Sequence, residues 1–87
     1  MYVILVYDIG VERVNAIRVF LKQYLNWVQN SVFEGELTEA ELMRIEDGLK
    51  ERIDPGADFV VIYRLASNKY LETTEMGTPK VDIGTIL

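Results

Sequence analysis

Asp8 is the residue best placed to do chemistry in this chain. It follows the apolar run Tyr2-Val3-Ile4-Leu5-Val6-Tyr7 and precedes Ile9-Gly10. A run so short and so apolar predicts a strand buried on both faces. A carboxylate at the end of such a strand, just before a glycine turn, sits where an open sheet presents polar groups to ligands. The same position suits an aspartate that caps a helix or closes a turn, and the local sequence leaves both readings open. Other chemistries are excluded by composition. The chain has no Cys, hence no thiolate nucleophile, disulfide or Cys-ligated zinc, and no His, hence no imidazole base or His-ligated metal. Hydrolysis must rest on carboxylates, hydroxyls or a hard cation held by oxygen. Mg²⁺ fits that description, since it accepts one or two carboxylates and keeps several waters.

The basic residues are the next candidates. Net charge is −5, which argues against nucleic acid, but the charge is unevenly spread. Residues 1–33 carry three bases, Arg13, Arg18 and Lys22, against Asp8 and Glu12, a net +1. Residues 34–58 carry three bases against nine acids, a net −6, and residues 59–87 balance. The acidity belongs to one segment, so Arg13, Arg18 and Lys22 can still form a local positive face. On the sequence alone that stripe also reads as a solvated helix surface.

The elements that must position these residues follow from periodicity. Residues 2–7 form the first strand. Val11, Val14, Ile17 and Leu21, widened by Phe20, Tyr24 and Leu25, mark a first helix. Trp27-Val28-Gln29 and Val32-Phe33-Glu34 are strand-like arms of a tight hairpin around Asn30-Ser31. Thr38-Glu39-Ala40-Glu41 is a capping box opening a second helix, whose apolar stripe is Leu42, Ile45, Leu49 and Ile53. Asp54-Pro55-Gly56 stops it. Phe59–Tyr63 is another strand apolar on both faces. Residues 66–78 read as polar and turn-rich, and Val81-Asp82-Ile83 as a short last strand. The prediction is one domain over residues 1–87, α+β, a ferredoxin-like βαββαβ sandwich with a short extra C-terminal strand. Both helices then cover one face. The other face is expected to expose an apolar patch that a second copy of the chain covers, with the 79–87 tail at a sheet edge. No apolar run approaches the roughly 20 residues that span a bilayer, and the first residues lack the basic lead of a signal peptide. A cytoplasmic protein with no membrane partner is expected.

Tyr7-Asp8-Ile9 at the end of the first strand, Arg13 early in the first helix, and Val28-Gln29-Asn30-Ser31-Val32-Phe33-Glu34 together resemble the CRISPR-associated protein two family. This is the small adaptation-module endonuclease that accompanies the CRISPR integrase. The resemblance runs from Met1 to about Leu65. It implies a ferredoxin-like homodimer in which Asp8 of each subunit meets its mate across the twofold axis and binds one shared Mg²⁺, with Mn²⁺ as a substitute. It implies metal-dependent cleavage of RNA or DNA phosphodiesters with Asp8 as catalytic residue. It also implies a dimer that binds nucleic acid and bridges the integrase during spacer acquisition in antiviral defence. Arg13 and Arg18 map to nucleic-acid contacts. Some members carry an Arg just before the Gln-x-Ser-Val-Phe segment, where this chain has Trp27-Val28. Tyr7 either orients the carboxylate or belongs to the core. Ser31 either bonds a phosphate or closes the hairpin, and Phe33 either stacks beside a base or packs inside. Two alternatives accompany this reading: a related toxin-type ribonuclease of the same fold, and an architectural DNA-binding scaffold without catalysis.

Overall fold

The computed structural model describes residues 1–65 and 71–79. The elements run β1 (Tyr2–Asp8), α1 (Val11–Leu21), β2 (Asn26–Gln29), β3 (Val32–Glu36), α2 (Glu39–Arg52), β4 (Phe59–Leu65) and β5 (Leu71–Gly77). The strands make one sheet in the order β2-β3-β1-β4-β5, and every neighbouring pair is antiparallel. The first six elements have the predicted βαββαβ order, and the fold is α+β and ferredoxin-like.

β1 lies between β3 and β4, which explains its nearly unbroken apolar sequence. A central strand has both faces to bury. Val3, Leu5 and Tyr7 join the core beneath the helices with Phe33, Val60 and Ile62. The helices contribute Ile17, Phe20 and Leu21 from α1, and Leu42, Ile45 and Leu49 from α2. Each such side chain contributes roughly 1.5–3 kcal/mol through burial. α1 is a turn shorter than its periodicity predicts: it ends at Leu21, and a turn carries the chain to Leu25, whose N–H still donates to the Leu21 carbonyl at 2.9 Å. Val11, at the first helical position, is exposed, and burial in α1 is complete only from Ile17 onward.

Local chemistry fixes two further junctions. Asn30 and Ser31 form the two-residue β2–β3 loop, with Gln29 paired to Val32, and Asn30 takes a positive φ of 31°. Asn tolerates that conformation better than most side chains. The capping box forms as predicted: the Thr38 hydroxyl accepts from the Glu41 N–H at 3.1 Å, and the Glu41 carboxylate accepts from the Thr38 N–H at 2.9 Å. Those bonds hold the Glu41 carboxyl below its ordinary pKa.

Two expectations change. Residues 66–78 read as turn-rich, but Leu71–Gly77 is a strand paired along its length with β4, from Leu65 opposite Leu71 to Phe59 opposite Gly77. It is an edge strand with mostly exposed side chains, so its polar composition conceals it. The predicted strand at Val81-Asp82-Ile83 falls outside the described residues together with the tail from residue 80. The second change concerns the helix-free face. Val6, Phe59 and Val61 are buried there within the single chain, with Ile4, Val32 and Tyr63 packed around them. The open apolar patch is thus narrower than the sequence suggests, because the neighbouring side chains shield its centre. Among the described residues no helix is long and apolar enough to cross a membrane.

Candidate active site and nucleic-acid interface

Asp8 is the last residue of β1 and lies opposite Phe59, the first of β4. Strand alternation puts it on the side of Ile4 and Val6, away from the helices. It is half-buried. Its neighbour Tyr7 points to the opposite face, into the core beneath α1. The carboxylate therefore stands at the rim of the helix-free face, where the central strand gives way to the Ile9-Gly10 turn.

That turn is held by a second carboxylate, which the sequence did not single out. Asp58 immediately precedes β4 and is fully buried. Its Oδ1 accepts from the Gly10 N–H at 2.8 Å and from Arg13 Nη2 at 2.8 Å. Its Oδ2 accepts from Arg13 Nε at 2.6 Å and from the Asp54 N–H at 2.9 Å. A buried charge needs this degree of compensation. The bidentate Arg13 fork is the largest cause, and the two backbone N–H groups add to it; together they hold the Asp58 carboxyl well below the usual carboxylate range, against the opposing pull of burial. The same pair raises the Arg13 guanidinium further above its ordinary value. Arg13 Nη1 also meets Glu12 at 2.8 Å. Arg13, mapped by resemblance to nucleic acid, is thus engaged inside the fold, tying α1 to the start of β4. Forty-five residues separate the partners, so no local pattern announces them.

A different cluster gathers on the helix-covered side. Arg18 Nε donates to the Tyr7 hydroxyl at 2.9 Å, and that hydroxyl donates to the Asn30 carbonyl at 2.9 Å. Trp27 Nε1 donates to the same carbonyl at 2.9 Å. Tyr7 thus anchors Arg18 and the hairpin, and its hydroxyl is directed away from the Asp8 face. Ser31 sits in the hairpin loop and accepts from the Tyr7 N–H through its backbone carbonyl at 3.1 Å. Phe33 is fully buried, packed between Tyr7 and Trp27 with ring centroids 6.1 and 6.3 Å away. The structure brings Tyr7, Arg18, Ser31 and Phe33 together, and places Asp8 and Arg13 apart from them near Asp58.

A depression of about 690 Å³ lies at the other end of the sheet among Tyr2, Thr38, Leu42, Glu46, Arg64 and Leu65. It holds none of the predicted site residues. Among the described residues no group of three or more Asp or Glu gathers to hold a metal ion. Asp8 is the hard oxygen donor that Mg²⁺ prefers, and a second carboxylate or a phosphate oxygen from outside the chain would complete so sparse a site.

Comparison with known proteins agrees with this architecture. The family model of the CRISPR associated protein Cas2 matches residues 1–73. A protein of Methanosarcina acetivorans named CRISPR-associated endoribonuclease Cas2 is 54% identical over 87 residues, all of both chains. The protein of the same name from Pyrococcus furiosus is also 54% identical with both chains fully covered. A solved structure described as a crystal structure of cas2 superposes with a TM-score of 0.70 at 43% identity, covering 95% of this chain and 82% of its own. A family match over most of the chain, with relatives alike from end to end, shows that this protein belongs to the Cas2 family of CRISPR-associated proteins.

Proposed function

We propose that the chain works as a homodimer in which Asp8 from each copy approaches its mate and the pair holds one Mg²⁺, cleaving phosphodiester bonds in RNA or DNA. The same dimer binds nucleic acid and bridges the integrase subunit during spacer acquisition. The observation that carries this reading is the placement of Asp8: at the end of the central strand, on the face no helix covers. A second copy laid against that face brings two carboxylates toward one axis. The full-length relatives named as endoribonucleases support the reaction class. When bound, Mg²⁺ supplies polarisation of a phosphate oxygen and a lowered pKa for a bound water. The residues divide the remaining work. Asp8 is the metal ligand and catalytic residue. Arg18 is aimed at phosphate, with Tyr7 fixing its Nε. Arg13 holds the turn after Asp8 through Asp58, and its Nη1, shared with Glu12, is the part left to approach backbone charge. Ser31 and Phe33 shape the hairpin that carries this side of the site.

A second reading, an architectural subunit without catalysis, is favoured by one fact: among the described residues, no group of three or more acids gathers at the Asp8 rim to hold a metal. Cleavage assays separate the two. Purified protein with labelled RNA and DNA should cut in Mg²⁺, stop in chelator, and be inactive as Asp8→Ala. Binding without cleavage by the unaltered protein, on both substrates, would leave the scaffold.

A further inference from the structure

Trp27 is the chain's single tryptophan. It lies on β2, an edge strand, and is 44% exposed. The Arg18 guanidinium carbon and the Lys22 ammonium each lie 4.8 Å from its ring centroid. Two like charges four residues apart on one helix repel. The negative face of an indole relieves part of that repulsion by attracting both. Arg13, Arg52 and Arg64 each meet a carboxylate. Among the described residues, Arg18 and Lys22 meet none. The guanidinium spends its Nε on Tyr7, and among the described residues it makes no other hydrogen bond. The indole N–H is fixed by the Asn30 carbonyl that also receives the Tyr7 hydroxyl, so ring and guanidinium share one rigid support.

We propose that Arg18, Lys22 and Trp27 form a clamp for nucleic-acid phosphate, in which Trp27 is a positioning residue that gathers two cations of α1 onto one ring. The inference rests on the reading that the chain binds nucleic acid, and it names where the strand backbone is held. The two charges are close enough to share one phosphate or to take two consecutive ones. Phe33 lies nearly parallel to the indole, 15° from it, and the cations lie over its ring, so the ring is not open to a base. Contact through phosphates implies indifference to sequence.

The test uses the full chain with a labelled DNA duplex and a labelled RNA strand, each in two unrelated sequences. Binding is followed by anisotropy over a range of salt, and Trp27 emission is followed directly. Saturation should change the emission of the unaltered protein. Lys22→Gln should lower the slope of log K against log salt by about one for both sequences. Trp27→Leu should weaken binding about threefold to tenfold with the slope largely kept, and Trp27→Phe should restore most of the loss. Binding by the unaltered protein with Lys22→Gln and Trp27→Leu both unchanged, or with Trp27 emission unmoved, would overturn the clamp alone. Absence of binding by the unaltered protein would overturn the nucleic-acid reading as well. Lys22 is exposed, so an unchanged salt slope in Lys22→Gln overturns the clamp even if Trp27→Leu fails to fold.

Discussion

Replacing Asp58 with Ala should destabilise the chain by about 3 kcal/mol, because it strips a buried ion pair of one partner and orphans the Gly10 and Asp54 N–H groups. Chemical denaturation of the variant checks this. The pH dependence has a fixed sign. The Asp58 carboxyl is depressed in the folded chain, so its contribution is complete above the unfolded value of about 4 and is lost as pH falls below it toward the folded value. The parent should therefore lose stability as pH falls below about 4, and Asp58→Asn should flatten stability in that range. Arg13→Ala should lower stability along with nucleic-acid binding. Arg18→Ala should lower binding, and its salt slope by about one, with a smaller effect on unfolding. A pair of variants that lose binding equally and stability not at all would contradict the internal role of Arg13. The position of Asp8 at the end of β1 was legible because a charge breaking an apolar run is a local event. Asp58 was not, because its meaning lies in donors contributed by Gly10 and Arg13, far away in sequence.

The same contrast runs through the elements. β1, the hairpin, α2 and β4 were readable because each is announced by neighbours: two-sided apolar runs, an Asn-Ser loop, a capping box with a helical stripe. β5 was not, because Leu71–Gly77 borrows its hydrogen bonds from β4 and shows mostly exposed side chains. Two glycines mark places where an element depends on close approach. At Gly77, φ is 91° and an added methyl would strike the Asp58 carbonyl. Gly77→Ala should destabilise β5 by roughly 2 kcal/mol, counting the left-handed cost of about 1–2 kcal/mol and the collision. At Gly48 an added methyl would overlap the Phe20 ring where α1 and α2 meet. Alanine gains roughly 1 kcal/mol of helix propensity, against overpacking of about 1–3 kcal/mol. Gly48→Ala should therefore be neutral to destabilising in thermal unfolding. A clear rise in Tm would show that Phe20 moves aside freely.

For the molecule as a whole, charge and apolar surface divide the labour. The net −6 of residues 34–58 centres on α2 and its flanks, whereas Arg18 stands on α1 and Lys22 caps its C-terminal end beside β2. On the proposed reading, nucleic acid would be held on the α1 side and repelled by α2. The helix-free face is partly sequestered within one chain, so the proposed dimer would draw on the remaining exposure of Ile4, Val32 and Tyr63 and on the Asp8 rim. Ile4→Lys should convert a dimer to monomer or aggregate in sizing with light scattering. Ile62→Lys, pointing at the helices, should unfold the chain whatever its oligomeric state. The most direct measurement is metal titration of the purified protein with Mn²⁺ in place of Mg²⁺, by calorimetry, beside the mass of the particle in solution. The expected result is one metal per two chains, with binding lost in Asp8→Asn while the dimer persists. One metal per chain, or unchanged binding in Asp8→Asn, would contradict a shared site and return Asp8 to the ordinary role of closing a turn.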